Sequence, residues 1–254
     1  MNRKRFLAGS AVVAGGAAVP VAVWDLSRSE QALSKHDQAL PARSIPLPAD
    51  GSIRTAVAIG PGVNVIDTAG PWEVFCDTAI YGGRGQLDLY TVAASTGPVE
   101  GNSGLEITPR YTYDDAPQPH VVVIPAHAES PTTIEWLRHV AKRADLLMSV
   151  CTGAFILART GLLDGKTATT HHGSYNDFEA MYPAIRLVRG KRFVEHDRVA
   201  TAGGLTSGID LALRVVERYL GHAGARATSS TQVRTPRARV PAPARARWRG
   251  STPR

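Results

Sequence analysis

Along its middle the chain alternates between short apolar runs of strand length and amphipathic stretches of helical length. Thr55–Ile59 (TAVAI), His120–Ala126 (HVVVIPA) and Ala144–Val150 (ADLLMSV) are almost uninterrupted by polar residues, the pattern of parallel strands covered on both faces. Gln86–Ala94 alternates as a strand. Val99–Tyr113 carries Gly101, Asn102 and Gly104 between β-prone runs, which predicts a small hairpin beside the main sheet. Pro71 suits the first turn of a helix running to about Tyr81, with Trp72, Phe75, Cys76 and Ala79 inward, and Pro131–Arg143 repeats Ile134, Leu137 and Val140 at helical spacing. Further on, Lys166–His171, Ile185–Val188 and Lys191–Ala202 read as strands, Tyr175–Tyr182 as a short helix stopped before Pro183, and Ser207–Leu220 as a last helix closed by Gly221. Such alternation predicts an α/β three-layer sandwich with a mostly parallel sheet, and in such sheets ligands gather at the carboxyl ends of the strands.

One junction has chemistry in it. The strand ending at Val150 runs directly into Cys151-Thr152-Gly153 and then into an apolar helical stretch from Ala154. A strand that turns sharply into a helix through small residues is a nucleophile elbow. It holds the side chain off the sheet, and the helix directs its unpaired N–H groups at the sulfur, which favours thiolate, the reactive form of cysteine. Cys76, on the inward face of its helix, reads as structural. The two cysteines lie on different elements, so both are expected reduced.

Charge separates the ends from the middle. The net charge is +7, yet residues 226–254 hold eight arginines and no acid, so the rest of the chain is close to neutral and its high pI belongs to the tail. Arg, Ala and Pro alternate there with few large apolar residues, which predicts a disordered basic tail, 226–254, able to contact anionic surfaces. At the other end, Arg3, Lys4 and Arg5 precede an uncharged run, Phe6–Val23, ended by Trp24-Asp25. The order Arg3-Lys4-Arg5-Phe6-Leu7 resembles a twin-arginine signal, so residues 1–24 are expected to direct export, by cleavage or as an anchor that tethers the protein on the outer side. Residues 25–53 read as a linker and 54–225 as one domain.

With these positions in place the chain resembles the ThiJ/PfpI superfamily, which has the flavodoxin-like, class I glutamine amidotransferase-like fold, and within it the isonitrile hydratase-like branch. The resemblance is carried by IDTAGPWEVF (66–75), SVCTGAFILARTGLLDGKTATTHH (149–172) and KRFVEHDRVATAGGLTSGIDLAL (191–213). It implies that Cys151 is the nucleophile, that Asp67 sets a carboxylate against its thiol, and that Thr152 is the hydratase branch's residue after the cysteine. Backbone N–H groups near Gly70 and at Thr152 would stabilise developing charge, Ala126 could add another, His127 reshapes the pocket wall where relatives carry glycine, and His171 lines the site. Thr152 stands where peptidase relatives carry histidine, so a Cys-His peptidase centre is not expected.

The function implied is a cysteine-dependent hydratase that adds water to a small isocyanide to give an N-substituted formamide. Alternatives are a ligand-binding or sensory domain of the same fold without turnover, and stress-related chemistry on reactive carbonyls. A regulator would append a DNA-binding region of roughly 100 residues, whereas about thirty Arg/Pro/Ala-rich residues follow Gly224, so no nucleic acid is expected at the folded domain. The partners expected are a small-molecule substrate and a second copy of the chain. No G-x-x-x-x-G-K-[ST] or G-x-G-x-x-G motif is present, and no organic cofactor is expected. His171-His172 at a strand end would point to opposite sides, without further ligands at metal-binding spacing, so no metal is expected either.

Overall fold

The computed structural model describes residues 43–81 and 86–232. Residues 1–24, the first part of the expected linker and the tail from residue 233 lie outside them. Seven strands form the main sheet in the order β10-β11-β7-β6-β1-β2-β5, where β1 is Ser52–Ala58, β2 Gln86–Ala93, β5 Tyr111–Thr112, β6 Val121–Ile124, β7 Leu146–Val150, β10 Phe193–Glu195 and β11 Val199–Ala202. All neighbours are parallel except the edge pair β10 and β11. The central strands are buried on both faces, as their apolar runs require. Val57 and Val123 point into a core shared with α1 (Val65–Tyr81) and α5 (Thr206–Gln232), while Ala58 and Val122 point into a second core with α2 (Pro131–Val140), α3 (Gly153–Arg159) and α4 (Tyr175–Met181). This is the three-layer α/β sandwich.

Chain direction changes from one side of the sheet to the other between β1 and β6. The loops leaving these two strands are stitched together there: Asn64 N–H donates to the Ala126 carbonyl and Ala128 N–H to that of Pro61, each at 2.8 Å. Crevices at such a switch are where open α/β sheets bind ligands.

Several boundaries differ from the sequence reading. α1 begins at Val65 and takes Pro71 into its interior, because the Asn64 side chain accepts from the N–H groups of Ile66 and Asp67 and so supplies the cap. The end of the expected linker is ordered: Ile45 N–H donates to the Arg218 carbonyl, the buried Arg218 guanidinium donates to the carbonyls of Arg43, His196 and Asp197, and Ser52 already pairs in β1. At the other end α5 breaks at Gly221, whose φ is 71°, and resumes to Gln232, so the expected disordered tail starts with a helical segment. Its buried Thr228 meets Thr78 of α1 at 2.9 Å. The expected hairpin exists as β3 (Val99–Glu100) and β4 (Glu106–Ile107), an antiparallel pair, but Tyr111–Thr112 leaves it to join the main sheet. Lys166–His171 contributes only β8 (Thr167–Ala168), which pairs in parallel with β9 (Arg186–Leu187) outside the main sheet. Among the described residues no helix is long and apolar enough to cross a membrane.

Candidate active site

The turn after β7 is forced by its neighbours. Cys151 has a φ of 58°, left-handed for a residue with a Cβ, at a cost of roughly 1–3 kcal/mol that its surroundings must offset. Its N–H donates to the Ala202 carbonyl at 3.1 Å, and the Thr170 hydroxyl donates to its carbonyl at 3.0 Å. Gly153 follows because nothing larger fits: a Cβ there would lie 2.1 Å from the Ile124 carbonyl oxygen and 2.9 Å from that of Pro125. The start of α3 is thereby pressed onto the end of β6. At Gly208 a Cβ would meet Val150 at 2.8 Å, so the first turn of α5 closes the other side.

Asp67 reaches the elbow from the first turn of α1 and is fully buried. Leu205 N–H donates to its Oδ1 at 3.2 Å and Ala126 N–H to its Oδ2 at 3.4 Å. The third donor is the Cys151 thiol. Two features of the 203–208 loop make this possible. Leu205 adopts a φ of 49°, and Gly204, at 142°, lets the backbone pass the nucleophile: a Cβ on it would sit 3.1 Å from the His171 ring and 3.4 Å from Cys151 Sγ.

The protonation state differs from the expectation of a thiolate. Burial, then the Asp67 carboxylate, push the Cys151 thiol up to about 11 against the opposing pull of the Thr152 N–H and hydroxyl. Burial also raises Asp67, although its three donors resist. One N–H and one hydroxyl at the head of a seven-residue helix do not outweigh desolvation and an adjacent negative charge. The resting pair is therefore a thiol hydrogen-bonded to a carboxylate, and the thiol's proton has a ready acceptor when sulfur attacks.

Of the residues singled out in the sequence, Cys151, Asp67 and Thr152 come together, and His171 joins them across Gly204. His171 and His172 do not diverge from a strand end. The strand stops at Ala168, and the two rings pack 4.3 Å apart at the head of a short 3-10 turn, where Gly173 N–H donates to His171 Nδ1. Gly70 lies in the second turn of α1, one turn after Asp67, where a Cβ would meet Ile209 of α5 at 2.9 Å, so the glycine lets these two helices approach. Ala126 uses its N–H on Asp67 and so positions the carboxylate instead of forming an anion hole. His127 and Thr152 line a cleft of about 250 Å³ together with Glu129, Phe155, Ile156, Met181 and Tyr182. Sequence reasoning missed Gly204 and Leu205, whose backbone passes the nucleophile and donates to Asp67, and the aromatic and methionine wall of this cleft. Among the described residues no cluster of three or more His, Cys, Asp or Glu could hold a metal ion.

A thiol on a left-handed elbow, a buried carboxylate beneath it and a doubly wound sheet define a class of cysteine-centred α/β proteins. Comparison with known proteins narrows it: residues 53–218 match the DJ-1/PfpI family, and the chain belongs to that family. Isonitrile hydratase from Pseudomonas putida is 32% identical over 168 residues, covering 63% of this chain and 69% of the hydratase. The HTH-type transcriptional regulator CdhR from Pseudomonas aeruginosa is 28% identical over 146 residues, covering 54% of this chain but only 43% of the regulator. Among solved structures, a THiJ/PfpI family protein from Pseudomonas syringae superposes with a TM-score of 0.64 at 27% identity over 80% of this chain and 85% of its own.

Proposed function

We propose that this protein is an isonitrile hydratase-like enzyme. The observation that carries the reading is the buried Cys151 thiol hydrogen-bonded to Asp67, with Thr152 shared between the nucleophile and the neighbouring cleft. Sulfur attacks the terminal carbon of R–N≡C, the thiol proton passes to Asp67, and Asp67 delivers it to that same carbon. The product is a thioimidate, Cys151–S–CH=N–R. Water then adds its oxygen to the carbon while the nitrogen gains a proton. The C–S bond breaks, the new hydroxyl proton returns to sulfur through Asp67, and R–NH–CHO leaves. The Thr152 N–H and hydroxyl, which face the sulfur, stabilise the charge that builds there. Phe155, Ile156, Met181 and Tyr182 favour an uncharged, apolar R group. The test is formamide release from simple alkyl and benzyl isocyanides by wild type, Cys151→Ala and Asp67→Asn. Turnover confined to wild type supports the mechanism, and turnover that survives loss of Cys151 ends it.

The match to CdhR favours a second reading, a ligand-binding domain without turnover. It predicts saturable binding of a small apolar ligand, no product, and indifference to Cys151→Ser. The reading also includes a homodimer, checked by light scattering of the purified chain. Export is its last part, supported by Arg3-Lys4-Arg5-Phe6-Leu7 and the apolar run after it. Fractionation with N-terminal sequencing decides it: intact chain in the cytosol would exclude export.

A further inference from the structure

The end of the sheet away from Cys151 carries a charge pattern that no reaction at the elbow uses. Lys142 and Arg143 stand exposed in the turn between α2 and β7. Arg198, exposed in the turn before β11, is fastened to that same turn: its Nη2 donates to the carbonyls of Ala141 and Ala144, each at 2.6 Å. Among the described residues no carboxylate forms an ion pair with any of these three cations. Most acids at this end are engaged elsewhere, Asp50 with Arg54, Asp145 with the Tyr219 hydroxyl and Glu217 with Arg214, while Asp197 stays exposed. The end that holds the nucleophile has the opposite sign. Glu100, Glu106, Asp114 and Asp115 are exposed in the segments that follow the carboxyl ends of β2 and β5. Gly62 N–H donates to the Glu100 carbonyl at 2.7 Å and so fixes the β3–β4 hairpin beside the loop leaving β1.

Both ends of the described chain leave from the basic end. α5 starts next to Leu205, which donates to Asp67, and runs away from the site to Arg218, whose Nε donates to the Arg43 carbonyl at 3.2 Å. α1 runs away from the site as well, and Thr78, in its last turns, meets Thr228, four residues before the last one described. The sequence joined to these two exits suits a lipid surface. Residues 233–254 hold seven arginines and no acid, and residues 6–23 are uncharged and follow Arg3, Lys4 and Arg5. An apolar segment combined with a polybasic one holds a protein on anionic lipid where either alone binds weakly. We infer that the face bearing Lys142, Arg143 and Arg198 docks on an anionic membrane surface, which leaves Cys151 facing the water. The acidic end is repelled by such a surface, which fixes the orientation. A nucleic acid would answer the arginines but would leave residues 6–23 without a partner, so lipid is the occupant that accounts for both. The inference holds whatever reaction Cys151 performs.

The experiment mixes the full chain with vesicles of phosphatidylcholine, alone or with added phosphatidylglycerol. Binding should require the anionic lipid and weaken as salt rises. Lys142→Gln combined with Arg143→Gln removes two cations from an exposed turn and should weaken binding about 30-fold, with thermal unfolding unchanged from wild type. Orientation is read from an environment-sensitive dye on a single cysteine in a Cys76→Ser, Cys151→Ser background. The cysteine is placed by Asp197→Cys at the basic end or by Leu105→Cys at the acidic end, both exposed positions. On anionic vesicles the dye at position 197 should shift to the blue and the dye at position 105 should not. Duplex DNA at equal phosphate concentration should leave the protein on the vesicles. Failure to bind anionic vesicles, equal binding to phosphatidylcholine alone, indifference to the paired glutamine variant, or a blue shift at position 105 would each overturn the inference. Removal from the vesicles by DNA would also overturn it and would assign the basic end to nucleic acid.

Discussion

The proton on Cys151 is the sharpest consequence of the site's geometry. Burial and the Asp67 carboxylate move the thiol from 9.0 to about 11. Two pKa units reduce the thiolate present at pH 8 by about 100-fold. The thiolate that does form is more basic and hence more nucleophilic, which at a Brønsted coefficient of about 0.45 restores roughly 8-fold. Alkylation of Cys151 by iodoacetamide at pH 8 is therefore expected about tenfold slower than for an ordinary cysteine, and its rate should keep rising with pH toward 11. The assay is intact mass spectrometry across pH 6 to 11 in a Cys76→Ser background, so that a single thiol reports. Replacing Asp67 by Asn removes one of the two causes, and the profile should move to lower pH. Linkage gives an independent readout with a definite sign. The folded state holds this proton between pH 9 and about 11 while the unfolded chain has lost it, so stability falls as pH rises through that window, and Cys151→Ser, which has nothing to titrate there, escapes the loss. An alkylation rate already on its plateau at pH 7 would refute the reasoning, because it would mean that the helix head and Thr152 outweigh burial and the carboxylate.

Gly153→Ala should destabilise the fold by about 1–3 kcal/mol and abolish activity, since the new Cβ meets the carbonyls of Ile124 and Pro125, which cannot rotate away; a denaturant midpoint unchanged from wild type would contradict the packing described. Cys151→Gly should be about 1 kcal/mol more stable than Cys151→Ala in urea titrations, because glycine relieves the left-handed turn. Asp67→Asn should lower turnover by at least about 100-fold. It should also cost about 1–3 kcal/mol in the same titrations, because one carboxamide oxygen cannot accept from Leu205 and Ala126 on both sides. Arg218→Ala should cost about 3 kcal/mol by orphaning three carbonyls, and should expose the chain around Arg43 to limited proteolysis.

How far the sequence led depends on which kind of contact each part of the molecule uses. β6, β7 and the second half of β1 were legible because a strand segment covered on both faces is mostly apolar, and the elbow because strand, Cys, small residues and apolar helix follow one another without a break. The start of α1 was not, because Pro71 looks like a first-turn residue and the cap, Asn64, lies seven positions earlier. What holds Asp67 was hidden for a different reason. Its partners are the backbone N–H groups of Ala126 and Leu205, and a main-chain donor has no letter of its own; only Gly203-Gly204 hinted at a loop of unusual conformation. The thiol's proton and the cleft depend on burial among residues remote in sequence. Met181 and Tyr182 close a short helix read from the sequence with no partner assigned, and they stand beside Phe155 only once α3 and α4 pack, with the Tyr182 and Phe155 rings 5.9 Å apart.

The claim that Cys151 bonds to the isocyanide carbon is tested most directly by a single turnover. Excess full-length protein is mixed with ¹³C-labelled benzyl isocyanide, quenched in acid at millisecond to second intervals, digested and mapped by mass spectrometry. The account predicts a transient addition of one labelled isocyanide on the peptide containing Cys151, decaying as labelled formamide appears, and absent from Asp67→Asn over the same interval. Formamide that forms with no adduct at any time, or an adduct confined to Cys76, would contradict it.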